Sequence, residues 1–232
     1  MTFSIVARCP RTGALGMAVA SASLACASFT VHVKGGVGAI ASQATSNPFY
    51  GPDGLRLLAA GKNPDEVIAA VTSIDPARDL RQLLIVDAAG RSAAFTGSGC
   101  TTRATHAFCE GYAVGGNRLA DDVVEEMARS FEMSAEEALP ERLMQALEAG
   151  QVAGGDRGGR QSAGLVVSDH PDYATFNLRV DDHLDPVGEL RRLVGLRADN
   201  RSTYDGFRPT REQPLPPGFV ENWASIKMTL RG

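Results

Sequence analysis

The chain has no apolar run of membrane-spanning length, no block of basic residues, no Cys-x-x-Cys pair and no Cys/His spacing of the metal-binding kind. The first absence argues against a transmembrane helix. The second, with a formal net charge of −4, argues against a nucleic-acid surface and against docking to an anionic membrane. The four cysteines, Cys9, Cys26, Cys100 and Cys109, read as reduced thiols of a cytoplasmic protein, with no structural disulfide among them. Aromatics are scarce at 6%, and tryptophan occurs once. What the chain has instead is 25 glycines and 44% hydrophobic residues in 232, enough for one sizeable core built of strands, tight turns and small-residue helices.

The first stretch organises the rest. Residues 2–8 and 14–21 are rich in Ile, Val and Ala and flank Pro10-Arg11-Thr12-Gly13, a turn signal, so a β-hairpin is expected from the first residues, which leaves no room for a signal peptide. Met1 precedes a small residue and is expected to be removed in cells, leaving Thr2 with a free α-amine. Such an amine has a reference pKa of about 7.7–8.0, so it can take the proton from the hydroxyl of its own residue and make a nucleophile and base in one. The plainer reading of Thr2 is a β-branched residue that starts a strand.

Further along, residues 31–44 read as a turn and a buried strand that ends in the polar set Gln43, Thr45, Ser46 and Asn47. A short helix is expected over residues 51–60. A second follows, capped by Asn63, with Pro64 at its first position and Glu66 closing a capping box. Residues 83–87 and 91–96 form a second expected hairpin. Residues 121–131 and 135–149 read as paired helices, with Ser134 and Glu137 as the capping box of the second. A polar, glycine-rich segment over residues 154–162 leads into a third hairpin, residues 164–167 with 174–180, and Asp185-Pro186 opens a helix to about Leu196.

Hairpins with helix pairs between them indicate an α+β fold. Several strands are apolar on both faces, which either two stacked sheets with helices outside or a doubly wound sheet would cover. Residues 1–196 are expected to form one domain. Residues 197–232 are expected to be an extended proline-rich tail, docked through Trp223 on its own subunit or across a two-fold homodimer.

Four ordered motifs carry a resemblance. The opening Thr2 to Arg8, residues 38–44 with Asn47-Pro48 and Tyr50-Gly51-Pro52, residues 154–162, and residues 178–183 with Asp185-Pro186 resemble the DUF1028 family, over Thr2 to about Leu196. That family is grouped with the N-terminal nucleophile (Ntn) hydrolases, whose relatives include proteasome β-subunits and aspartylglucosaminidase. The resemblance implies a four-layer αββα sandwich, two stacked antiparallel sheets with helices outside. It also implies Thr2 as the nucleophile of a hydrolase but names no substrate; hydrolysis of an amide bond in a small-molecule or peptide-like substrate, without a cofactor, is the activity expected here. Relatives commonly carry an Asp where this chain has Cys9.

Around such a nucleophile the residues suggest further roles. Lys34 is expected near Thr2, lowering the amine pKa by like-charge repulsion, or else exposed before a Gly-Gly turn. Gln43 and Asn47 can donate amide hydrogens to an oxyanion or substrate carbonyl, or cap local turns. Asp156, Arg160, Gln161 and Ser162 precede a buried strand and can line a cleft, with Arg160 suited to a substrate carboxylate and an Arg–Asp structural pair as the alternative. Asp181, Asp182 and His183 invite a metal-dependent hydrolase, although neighbours on an extended strand point to opposite faces. A catalytically silent binding or scaffold protein is the reading of another class.

Overall fold

The computed structural model describes residues 2–101, 103–199 and 211–214. The chain divides into two compact units, Met1–Arg191 and Arg192–Gly232. Of the second, the described residues are the last turns of a helix and residues 211–214. Most of the expected tail, Trp223 and the homodimer contact argued from it lie outside the described residues.

The first unit is built on two antiparallel sheets. In one, strands β1 (Thr2–Arg8), β2 (Leu15–Ser21), β7 (Thr105–Cys109), β8 (Tyr112–Asn117), β9 (Ser162–Ser168) and β10 (Phe176–Val180) are ordered β10-β9-β2-β1-β8-β7. In the other, β3 (Val31–Lys34), β4 (Gly38–Ala44), β5 (Arg81–Asp87) and β6 (Ser92–Thr96) follow chain order. Val6, Met17 and Val19 of the larger sheet meet Ala39, Ala41, Leu84 and Val86 of the smaller in one buried apolar layer. The outer face of the small sheet is covered by α2 (Tyr50–Ala59) and α3 (Pro64–Ser73), which bury Leu58, Val67 and Val71 against Ile40, Leu83 and Ile85. The outer face of the large sheet carries α4 (Val123–Met133) and α5 (Leu139–Val152). The result is the four-layer αββα sandwich, and it explains why β1 and β5 are apolar on both faces: each has a sheet on one side and a helix on the other.

Local chemistry accounts for most boundaries. Asn63 and Glu66 close their capping box, each side chain bonded to the other's backbone N–H at 3.0 and 2.8 Å. Asp185 accepts from Gly188 N–H at 3.3 Å, in the first turn of α6 (Pro186–Asp199), which runs three residues beyond the expected Leu196. The expected capping box of Ser134 and Glu137 does not form. Ser134 Oγ instead bonds back to the carbonyls of Ser130 and Phe131 and closes α4. Pro140, with no N–H to donate, fits only the first turn of a helix, so α5 begins at Leu139. The hairpin β7–β8 and the short α1 (Ala27–Thr30) are not anticipated from the sequence. Among the described residues no helix is long and apolar enough to cross a membrane, and the four cysteines are free thiols.

Candidate active site

Thr2 opens β1, an interior strand of the large sheet, directly opposite Ser21 on one side and Asn117 on the other. Alternation along β1 puts Thr2 and Ser4 on the same face as Val6, toward the second sheet. The inter-sheet layer therefore changes character along its length, apolar in the middle and polar at the Thr2 end. There Thr2 Oγ1 donates to Ser21 Oγ at 3.2 Å, and Ser4 Oγ donates to Gln43 Oε1 at 2.7 Å. Gln43 Nε2 donates to Gln82 Oε1 at 2.9 Å and to Gly115 O at 3.3 Å. Gln82 Nε2 reaches Thr96 Oγ1, Thr105 O and Gly116 O, while Asn117 Nδ2 donates to Gln82 Oε1 at 3.3 Å. Gln82 is thus the hub that fastens the two sheets together at this end.

A second group of side chains gathers at the end of β2 and β9. Ser21 pairs with Ser162, and Gln161 N–H donates to Ser21 O at 3.0 Å. Asp156, only 6% exposed, accepts from the N–H groups of Ala22 and Gly158 at 3.0 and 2.7 Å, which ties the glycine-rich loop to the residue after Ser21. Gly154, Gly155 and Gly159 all have positive φ, so this loop path depends on them. Ser162 Oγ is spent on the Ser23 carbonyl and the Cys26 N–H, and burial pushes the Cys26 thiol up to about 11. Gln161 Nε2 donates to Asp182 Oδ1 at 3.2 Å, and His183 N–H donates to Gln161 O at 2.8 Å. Arg160, Gln161, Asp182 and His183 line a cavity of about 580 Å³ there. A smaller one of about 240 Å³, lined by Thr45, Asn117 and Arg118, opens on the other side of Thr2 in the sheet.

Several expected roles do not survive this geometry. Lys34 pairs with Gly38, and Gly38 with Asp87. A Cβ on the adjacent Gly35 would lie 2.1 Å from His170 O and 2.9 Å from Ser168 Oγ. Ser168 pairs with Leu15, and Leu15 with Arg8, so Lys34 sits at the Arg8 end of the sandwich. Six strand steps separate that end from Thr2, roughly 20 Å, and Lys34 is not positioned to tune the Thr2 amine. Gln43 holds the sheets together with both amide hydrogens already donated. Asn47 donates to Asp75 Oδ2 at 3.1 Å and accepts from Phe49 N–H at 3.0 Å, a loop brace before α2. Asp156 holds backbone N–H groups, so the alternative of an Arg–Asp pair gives way to a carboxylate-pinned loop.

Asp181 is engaged by Arg179, whose guanidinium holds its carboxyl below the usual range, and no three metal-ligating side chains come together among the described residues. The metal-dependent reading thereby loses its ligand set. Sequence reasoning missed Ser21, Gln82 and Asn117. Ser21 and Asn117 end otherwise apolar strands and Gln82 is the second residue of β5, and only register shows that the three positions coincide.

A crystal structure of protein SPO2555 from Silicibacter pomeroyi is similar to this chain, at 32% identity, with 92% of this chain and 97% of that one covered and a TM-score of 0.83. The Anbu (ancestral β-subunit) protein from Yersinia bercovieri aligns over 90% of this chain and 99% of its own, at 13% identity and a TM-score of 0.42. No curated protein matches. The model of a family of unknown function, DUF1028, matches residues 2–190. With that match over most of its length, and a solved structure of the same family at its side, the chain belongs to the DUF1028 family.

Proposed function

We propose that this protein is an amide hydrolase of the N-terminal nucleophile type, with Thr2, freed of Met1, as nucleophile and its own α-amine as base. The observation that carries the reading is the place of Thr2 at the polar end of the inter-sheet layer. Its Oγ1 is fixed by Ser21, and a cavity lies on each side in the sheet. In the reaction the amine takes the Oγ1 proton and Oγ1 attacks the carbonyl carbon. The resulting oxyanion is held by an amide donor, for which we assign the second Nδ2 hydrogen of Asn117, opposite Thr2 in the register, the first being given to Gln82. Collapse breaks the C–N bond, the ammonium returns its proton to the leaving amine, and water then hydrolyses the acyl ester. Arg118 and Arg160 line the flanking cavities, which suits a small or peptide-like substrate bearing a carboxylate.

The second reading, a binding protein without turnover, is favoured by the position of Lys34, which leaves the amine without the lysine expected beside it. Two measurements on natively expressed protein separate them. Intact mass is expected to show loss of Met1, and turnover of a panel of small N-acyl and cyclic amides is expected in the parent and not in Thr2→Ala. Retained Met1, or a Thr2→Ala variant working at the parent rate, would overturn the hydrolase reading.

A further inference from the structure

At the Arg8 end, roughly 20 Å from Thr2 by strand length, lies a cavity of about 410 Å³ that the proposed hydrolysis does not use. That volume falls in the range of small-molecule sites. One wall is aromatic: the rings of Tyr112 and Phe131 lie with centroids 5.1 Å apart, and Pro10 and Ala135 extend the apolar lining. Arg142 forms the floor. It is 7% exposed, its guanidinium lies 3.8 Å from the centroid of the Phe131 ring, and Nη2 donates to Phe131 O at 3.0 Å.

Nε of Arg142 is buried and has no hydrogen-bond partner among the described residues, and the same holds for Nε of Arg8, which lines the same cavity. Guanidinium groups stay charged in proteins, and a buried N–H without an acceptor is costly. Both residues also line the cavity, so two guanidinium groups stand at its wall, each with one N–H that no described residue accepts. The carboxylates facing the cavity are Glu110 and Glu132, both exposed, and Glu132 already accepts from Tyr112 Oη at 2.5 Å. Arg142 thus sits deep, Arg8 is half-buried, and the acidic groups are at the rim. Arg11, the remaining cation of the neighbouring turn, is turned to Glu136 and to the carbonyls of Glu136 and Glu137.

We propose that this cavity is a binding site for a small organic carboxylate with a flat apolar body, the carboxylate taken by Arg8 and Arg142 and the body laid along Phe131 and Tyr112. An aromatic ring beside a guanidinium accommodates such a body by stacking, and a charge-assisted hydrogen bond fixes its acid group.

Benzoate is the probe, with benzyl alcohol as its uncharged counterpart, titrated calorimetrically into the full chain and followed by thermal midpoint. Benzoate is expected to bind one to one and to raise the midpoint, with benzyl alcohol weaker by at least about tenfold, the worth of a charged hydrogen bond. Arg8→Gln, at the end of a strand held by β2 and β8, is expected to weaken benzoate by a similar factor. Thr2→Ala and Arg160→Gln are expected to leave its binding unchanged, so the result is independent of the hydrolase reading. Equal binding of benzoate and benzyl alcohol, no binding of benzoate, or a loss on Arg160→Gln but not on Arg8→Gln would overturn the proposal. The parent titration needs no variant to fold.

Discussion

The two ends of β1 differ in how their polar groups are spent. At the Thr2 end, Ser4, Gln43, Gln82 and Asn117 bond to one another in a network that crosses from sheet to sheet. At the Arg8 end, two arginines line a cavity, and the Nε of each has no hydrogen-bond partner among the described residues. The first end is closed by its own chemistry around Thr2; the second leaves a cavity open beside two arginines. A fully satisfied buried network is rigid and specifies geometry, whereas unmet donors specify a ligand.

After the loss of turnover expected of Thr2→Ala, the largest effect should come from breaking the closed end. Gln82→Leu removes partners from Gln43, Asn117, Thr96 and two backbone carbonyls at once. It should cost about 3 kcal/mol or more in a denaturant titration, since each buried group left unpaired is penalised. A loss under about 1 kcal/mol would mean that the network is loosely held. Gly116→Ala tests how tightly the strands approach beside Thr2, the proposed nucleophile. Its Cβ would lie 2.6 Å from Thr2 O and 2.8 Å from the methyl groups of Leu119, and backbone cannot swing aside as a side chain does. About 2 kcal/mol of destabilisation is expected from such overpacking, together with lower turnover from a displaced Thr2.

A more modest effect is read from pH. Asp75 accepts from Arg81, Tyr50, Asn47 and the Ala77 N–H, the Arg81 guanidinium first among them, and these hold its carboxyl well below the usual carboxylate range. A depressed folded pKa means that the stabilisation is present above the unfolded value of about 3.9 and is lost as pH falls below it. The thermal midpoint should therefore drop as pH falls from about 4 toward 2, and Asp75→Asn should remove that part of the slope. An unchanged slope in the variant would show that other carboxylates carry it. The smallest effect is expected at the Arg8 end, where Arg11 and Glu136 form an exposed pair at 3.1 Å. Glu136→Gln should change stability by less than about 0.5 kcal/mol, and a larger change would make that turn part of a network.

The sequence shows some of this and hides the rest for physical reasons. Hairpins with strong punctuation are legible: Pro10 to Gly13 marks the first turn, and Ala88-Ala89-Gly90 the second. So is a helix start that carries its own box, as at Asn63 and Glu66. The hairpin β7–β8 is not, because β7 is largely exposed and carries mixed side chains, while β8 contains Gly115 and Gly116, which lower strand propensity. Those glycines are needed for close approach, not for local preference. A Cβ on Gly115 would come within 3.0 Å of the Leu84 side chain and the Thr105 carbonyl. Ser134 shows the converse, a capping signal whose box does not form, the next helix starting instead beside Pro140 six residues later. At the site, Thr2, Asp156 and Gln161 are readable because a strand begins or a glycine-rich loop marks the place. Lys34 is misplaced because neither composition nor spacing says which end of a sandwich a strand terminus faces; that depends on register across two sheets.

The strand order of the large sheet also sets a timetable for synthesis. The small sheet is one uninterrupted stretch, Val31 to Thr96, so all its strands are available once that stretch is made. The large sheet cannot, because β1 waits for β8, roughly 100 residues later, and β2 waits for β9. At about 5–20 residues per second, the first of these waits lasts some 5–20 s. During it the start of β1 has a neighbour on one side only. An aminopeptidase working on the nascent chain would meet an open strand end, whereas in the folded protein Thr2 is 6% exposed. The terminal processing that the proposed chemistry needs would thus be a matter of seconds on the ribosome, and a faster closure of β8 onto β1 would work against it.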